Sequence, residues 1–398
     1  MKHFLFKLPV FLCILLLSGN SAYSQVNYHN DFIGFWTDIR DHYAYLEQQN
    51  IDWDKVKELY EPQSFKTANR NEFIELLEAL INELYNGHSS LNTNLVTSNR
   101  LVPSGSDLYV ERTGNSYFIK DIRKGFGADA AGLKIGTEVV RFNGMPIEQQ
   151  LEKFLPKFSK APNEKMLQYA LNMLFAGTHN TPRELTVLEN GVEKSYHPVN
   201  YANSPELLFS KITNSTTAYI KINNSLGNNE LISEFDKVLD SLMPYRNLII
   251  DLTETPSGGN STVARAIMGR FVGKPMPYQV HEFDEKDYET KRHWVEYVIP
   301  RKKRYKGKVY VLVGRWTGSM GEGIAIGFDA MKRASIIGTP MAGLLGAISN
   351  FKLEETGIGF QFPVERLYHV NGTPREAFVP GVLTRHVEET IQKARNIR

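Results

Sequence analysis

Three short stretches hold residue types at spacings that could carry nucleophilic chemistry. In the first, the apolar run Val311-Leu312-Val313 leads into Gly314-Arg315-Trp316-Thr317-Gly318-Ser319-Met320, and a helical pattern follows. A strand that turns sharply into a helix can raise a serine hydroxyl above a sheet, which makes Ser319 a candidate nucleophile. The N–H of Met320 would then lie beside that serine, placed to help bind an oxyanion. The same residues read equally well as a capping box, Ser319-x-x-Glu322, in which the serine only starts a helix. The Gly-x-Ser-x-Gly elbow of α/β-hydrolases is missed, because position 317 is Thr.

The second stretch is a buried-strand pattern, Ile249-Ile250-Asp251-Leu252, running into Thr253-Glu254-Thr255-Pro256-Ser257-Gly258-Gly259. Paired glycines let bare backbone N–H groups approach a ligand, and a following helix adds its positive end. Gly258 and Gly259 are therefore candidate oxyanion donors, or simply a turn that the chain path needs. The third stretch is Tyr85-Asn86-Gly87-His88-Ser89-Ser90, just after a helical pattern. Histidine is the side chain best suited to take a serine proton near neutral pH, although a histidine after a helix is more often structural.

Composition narrows the chemistry. The chain has 398 residues, too many for one ordinary core, and 42% of them are hydrophobic, enough to fold. Its first residues read as an export signal: Lys2 and Lys7, the apolar run Phe11 to Leu17, and Ala22-Tyr23-Ser24 at cleavage spacing. The apolar run is too short for a stable membrane anchor. Cys13, the one cysteine, lies inside this segment, so a mature chain starting near Gln25 has no thiol nucleophile, cysteine metal site or disulfide. That mature chain carries 44 basic and 44 acidic residues, and its one basic cluster, Arg301-Lys302-Lys303-Arg304, reads as a solvated loop. Nothing points to a nucleic-acid partner. No His-Glu-x-x-His, phosphate-binding Gly-Lys-Ser/Thr or Gly-x-Gly-x-x-Gly motif occurs, so no metal, nucleotide or other cofactor is expected.

The elements that must position these residues fall into three regions after the signal at 1–24. Over 25–103 the spacing predicts helices, with Phe32, Phe35, Trp36, Ile39 and Tyr43 on one face and Phe73, Leu76, Leu77, Leu80 and Leu84 on another. Asn86-Gly87 is the expected stop. Over 104–204 the character changes to strands. Ala131-Gly132-Leu133-Lys134-Ile135-Gly136, then Val139-Val140 and Asn143-Gly144, reads as a short helix, a glycine turn, a strand and a tight turn. This run resembles the core signature of a PDZ domain, with a helix expected near 163–175. Over 205–398 strand and helix alternate. Ala218 to Ile222, Asn247 to Leu252 and Val309 to Val313 read as buried strands, and 229–243, 261–271 and 320–332 as helices, which predicts an α/β fold.

Taken together, these features resemble the C-terminal-processing (tail-specific) and tricorn-core serine peptidases, over about residues 70–382. The resemblance implies a crotonase-like α/β core with an N-terminal helical region and an inserted PDZ-like β domain. It also implies peptide or unfolded-protein substrates cut near their C-termini. One branch of the family uses a lysine base some two dozen residues past the serine. Leu344 stands there, and Lys332, 13 residues along the helix, would be roughly 20 Å away. The tricorn-like branch uses a histidine in a Gly-His-like motif and a late glutamate, and Gly87-His88 matches it. The tricorn core has a serine where Gly87 stands, so Ser89 or Ser90 would have to supply that hydroxyl. Glu376, in Asn371-Gly372-Thr373-Pro374-Arg375-Glu376, is the implied acid, with Glu365 the alternative. The resulting expectation is a Ser319, His88, Glu376 mechanism with Gly258, Gly259 and Met320 around the oxyanion. The rival is a peptide- or lipid-binding protein on the same fold without turnover.

The export signal carries its own test. N-terminal sequencing of the protein from its native host is expected to begin near Gln25, and a soluble cytoplasmic pool retaining Met1 would refute the assignment.

Overall fold

Three β-branched, apolar runs form the spine of the molecule. The computed structural model describes residues 26–199 and 204–397, so the export segment expected over 1–24 lies outside the described residues. Strands Thr217–Ile222, Asn247–Asp251 and Lys308–Val313 lie side by side and parallel. Ser335–Gly338 and Val382–Leu383 extend the sheet in the same direction, and Leu208–Asn214 closes the far edge antiparallel. All five residues of Asn247–Asp251 are buried, because this central strand is covered on both faces. Helices Glu230–Ser241, Ser261–Met268 and Met320–Ala330 cover one face, over a core that includes Leu248, Ile250, Phe235 and Phe271. On the other face Ala394 of helix Val387–Arg395 packs against Ile249, Leu312 and Ile337. The fold is α/β, as the alternation after residue 205 predicts. The basic cluster is held by acids: Arg301 pairs with Asp236 at 2.5 Å and Lys303 with Asp240 at 2.6 Å.

A second sheet, not apparent from the sequence pattern, stands against the helix that follows Ser319. It is antiparallel, ordered Ser90–Leu91, Gly359–Tyr368, Met276–Glu285, Thr290–Val298, with Ala347–Lys352 also pairing to Gly359–Tyr368. Its outer strand begins Thr290, Lys291, Arg292, His293, all exposed, so no apolar alternation announces it. Helix Met320–Ala330 is packed between the two sheets, and its first nine residues are buried.

The N-terminal helices are Tyr28–His42, Trp53–Ser64 and Arg70–Glu83. The side chains of Asn27, Asp52 and Asn69 cap them by accepting first-turn N–H groups. Their apolar faces pack on Phe360, Phe362 and Leu353 in one shared core. Buried Asp31 accepts the N–H groups of Glu355 and Thr356 at 2.9 and 2.8 Å. The helical region is thus joined to the C-terminal half, and Ser90–Leu91 completes the join by pairing in the second sheet.

Residues 108–196 form a third, antiparallel sheet, ordered Leu108–Thr113, Ser116–Ile122, Glu138–Phe142, Leu185–Glu189, Val192–Tyr196. The glycine-rich run follows its expected course: helix Gly127–Ala130, left-handed Gly132 and Gly136 (both φ +90°), strand Glu138–Phe142, then a turn through Asn143 and Gly144. Helix Glu164–Ala176 packs along the edge strand Leu108–Thr113, where Gln168 donates to the Val110 carbonyl at 2.9 Å.

A buried ion pair fastens this unit. Arg183 meets Asp107 through both terminal nitrogens, at 2.5 and 2.8 Å, and the Ala128 N–H adds 2.9 Å. Removing one partner leaves a buried charge uncompensated. Arg183→Ala is therefore expected to lose about 3–5 kcal/mol, read as a lower urea midpoint with the slope unchanged.

Candidate active site

Ser319 sits where strand Lys308–Val313 turns into helix Met320–Ala330, at φ +50° and ψ −111°. A non-glycine residue there stores strain of order 1–3 kcal/mol and persists only where its surroundings impose it. The surroundings do so here. Thr317 Oγ1 accepts from Gly314 N at 2.9 Å and donates to the Leu252 carbonyl at 2.8 Å. Thr255 N donates to Trp316 O at 3.1 Å, and Gly318 N to Thr255 O at 3.2 Å. The serine turn is thereby laced to the glycine loop that follows Asn247–Asp251.

That loop presses bare backbone onto the serine. Gly258 has φ +63°, and a Cβ there would overlap the Ser319 Cβ and stand 2.9 Å from Oγ and 2.8 Å from Met320 N. Only glycine allows this approach. The Gly258 N–H itself donates to Thr255 O at 3.1 Å. Among the described residues, the N–H groups of Gly259 and Met320 have no acceptor. Met320 opens the helix, so its N–H is one of the amides a helix leaves free, at the positive end of its dipole.

His88 is buried in the segment after Arg70–Glu83. Its N–H donates to the Asn86 side chain at 3.0 Å, which sets the turn, and Nδ1 lies 2.7 Å from the Leu345 carbonyl. A carbonyl accepts only, so Nδ1 carries the proton and Nε2 is left as the basic nitrogen. Burial, aided by repulsion from Arg375, pushes the His88 pKa down to about 4, so the ring is neutral near pH 7. Arg375 also fixes the turn that holds His88, donating to the carbonyls of Leu344 and Gly346 at 2.9 Å each.

Two residues tie the histidine side of the site to the serine side. Glu322, fully buried, accepts Ser319 N at 2.8 Å and Gly343 N at 2.9 Å. Burial lifts its pKa to about 7, opposed by Arg375 and the two amides. Leu344, buried, is wedged between the neighbours of the two reactive residues: its methyls would stand 3.3 Å from a Cβ at Gly87 and 3.2 Å from one at Gly318. No hydrogen bond joins His88 to Ser319. The capping reading of Ser319-x-x-Glu322 holds alongside the reactive one, since the cap is what fixes Ser319 N.

The acids lie elsewhere than the sequence pattern implies. Neither Glu376 nor Glu365 hydrogen-bonds to His88, whose Nδ1 is already occupied by Leu345 O. Glu376 Oε2 is buried without a partner, and its charge acts on Tyr45 and Glu322. Glu365 holds His281 at 2.7 Å. Gly87 has no room for the hydroxyl of the tricorn pattern, since a Cβ would stand 2.7 Å from Val102 O, and Ser89 Oγ is buried without a partner. Lys332 lies past the end of helix Met320–Ala330. Leu345 O and Arg375 were invisible to motif reading, because a backbone carbonyl has no side-chain signature. Glu322 was visible as the fourth residue of the capping box.

A cavity of about 490 Å³ opens beside this centre. It runs from Tyr109 and Gln168, at the edge of the third sheet, to Trp316, Leu344 and Glu376. Residues flanking the third sheet also touch the glycine loop and the serine turn. Arg123 pairs with Glu254 at 2.8 Å, and Trp316 Nε1 donates to Ser106 O at 2.9 Å.

Residues 216–382 match the model of peptidase family S41, and residues 24–82 match the tricorn protease C1 domain. No curated protein matches the chain in sequence. Among solved structures, mature CPAF complexed with lactacystin is similar at 14% identity, TM-score 0.63, over 93% of this chain and 96% of that one. The photosystem II D1 C-terminal processing protease is similar at 14% identity, TM-score 0.56, over 90% and 94%. At such identities the likeness is one of fold.

The depressed pKa of His88 would set an acid limit on any reaction in which it serves as base. With His88 as the base, protonation of its ring is expected to lower kcat/KM near pH 4 rather than near 6.5, as a step separate from any change near pH 7, where Glu322 titrates. Arg375→Gln, which removes the repelling cation, should move that drop to higher pH in a pH-rate profile.

Proposed function

The chain carries a domain of peptidase family S41 and is a serine-type peptidase, and from that premise we propose an exported enzyme that cuts peptide bonds near the C-termini of peptides or unfolded proteins, with Ser319 as nucleophile and His88 as base. The observation that carries the assignment is Ser319 held at positive φ with the bare backbone of Gly258 against it. Ser319 Oγ attacks the peptide carbonyl and its proton passes to His88 Nε2. The N–H groups of Met320 and Gly259 receive the oxyanion, and His88 returns the proton to the leaving amine. Water then repeats the cycle on the acyl-enzyme. The Leu345 carbonyl does the orienting work expected of an acid, since it fixes the tautomer and stabilises the imidazolium as it forms.

An extended peptide suits the approach to this site. The strand Leu108–Thr113 has no strand neighbour beyond Ser116–Ile122, a peptide that displaced Gln168 from the Val110 carbonyl could add beside it, and the cavity leads from it toward Leu344. This supports a β unit that collects substrate, in the manner expected of a PDZ domain. The D1 C-terminal processing protease acts, by its name, at a C-terminus, and the shared fold favours the same substrate class here. Export rests on the N-terminal pattern of the sequence. The binding-protein alternative draws on one observation, the open His88–Ser319 pair; catalytic hydrogen bonds commonly close only on substrate.

His88→Ala is expected to slow peptide hydrolysis about as much as Ser319→Ala, on the order of a thousandfold or more, because members of a catalytic unit fail together. Lys332→Ala should change little, and Glu376→Ala should cost less than His88→Ala. A serine-directed phosphonate should label Ser319. A folded, fully active His88→Ala variant would overturn the mechanism, and an unlabelled wild type would favour the binding protein.

A further inference from the structure

The catalytic chemistry leaves one buried cluster unused. His281, on strand Met276–Glu285, sits between carboxylates of the two flanking strands. Its Nδ1 is 2.7 Å from Glu365 Oε2 on Gly359–Tyr368, and its Nε2 is 3.3 Å from Glu296 Oε2 on Thr290–Val298. Trp294 stacks on the ring at 4.7 Å and 16°. The side chain is 11% exposed. Gln279 Nε2 lies 3.0 Å from His281 Nε2 and 2.8 Å from Glu296. From helix Ser261–Met268, Arg265 reaches Glu296, as does the Tyr278 hydroxyl. From helix Met320–Ala330, Gly323 faces the cluster, and a Cβ there would stand 3.5 Å from Gln279 Oε1.

His281 Nε2 has a partner in either protonation state. Protonated, it donates to Glu296; neutral, it accepts from Gln279. What changes is the charge between the two acids. Glu296 keeps Arg265, but among the described residues Glu365 has no other cation partner. Glu365 matters to the catalytic turn. Its backbone pairs with Ala347, and its carbonyl lies against Gly346. The preceding residue, Leu345, supplies the carbonyl that holds His88 Nδ1.

We infer that His281 is a proton-dependent positioning residue: as an imidazolium it clamps the Glu365 strand and so holds the Leu345 carbonyl against His88, and when it loses its proton the clamp loosens and peptide hydrolysis slows. The inference rests on the Ser319–His88 peptidase reading. Burial, the largest single effect, pulls the His281 pKa down, but its bonds to Glu296 and Glu365 together outweigh it and raise the pKa. A raised folded pKa gives stability that is fully present below the unfolded value of roughly 6.5 and lost as pH rises through the folded value.

Two measurements on the full mature chain test it: kcat and KM against pH, and Tm against pH, for wild type, His281→Gln and Glu365→Gln. Wild-type kcat should decline on the alkaline side with KM nearly constant, and Tm should fall over the same range. His281→Gln should lose both alkaline declines, with kcat about tenfold lower at neutral pH, within the range of coupled hydrogen-bond networks. Glu365→Gln, which keeps a hydrogen-bonding group but not the charge, should shift both declines to lower pH. An unchanged kcat profile in either folded variant overturns the positioning role. An alkaline loss of Tm without loss of kcat also overturns it, leaving a purely structural bridge. A wild type that shows the Tm slope but neither hydrolyses peptides nor takes up phosphonate removes the peptidase reading itself, and the positioning role with it.

Discussion

The arrangement depends on a single buried carboxylate. Glu322 has no contact with solvent, yet it accepts the N–H of Ser319 and the N–H of Gly343. Those amides belong to chain segments that meet only in the folded protein. One presents Ser319, and the other begins the turn whose next residues wedge Leu344 into the centre and offer the Leu345 carbonyl to His88. A carboxylate in such a place is costly unless its oxygens are bonded. Folding that satisfies Glu322 therefore also sets the distance between the serine turn and the histidine's anchor. Arg375 reinforces the same turn from the other side by binding the carbonyls on either side of Leu345.

Charge is managed by enclosure rather than by pairing the catalytic groups with one another. Burial, aided by the enclosed Arg375, keeps His88 neutral, which leaves Nε2 unprotonated but weakens it as a base. A backbone carbonyl at Nδ1 gives the imidazole a fixed tautomer with no carboxylate bonded to the ring. Leu344 fills the space between Gly87 and Gly318 with hydrocarbon. Strain at Ser319 is held by threonines, Thr317 and Thr255, whose bonds run between neighbouring strand ends. The cavity beside this centre joins the Leu344 turn to the strand Leu108–Thr113 and the helix packed along it.

Connections across the molecule make the site a property of the whole chain. The N-terminal helices share a core with the second sheet, and the third sheet reaches the glycine loop through Arg123 and the serine turn through Trp316. The second sheet lies behind the serine helix and carries the His281 cluster on the strands that frame the histidine's turn.

Much of this was legible in the sequence because it is written in local pattern. Apolar β-branched runs declared the central parallel strands, helical spacing declared the N-terminal helices, and Asn143-Gly144 declared its turn, since each depends on backbone preferences and burial over a few residues. Ser319, His88 and the paired glycines stood out for the same reason: their chemistry needs particular side chains, or their absence, at particular turns. The second sheet did not, because its outer strand is exposed and charged and is held by neighbours distant in sequence. The partner of His88 was undeclared for a deeper reason. Any residue can supply a carbonyl, so only the tertiary structure, by carrying Leu345 some 257 positions along the chain to the histidine, could choose it over the acids at 365 and 376.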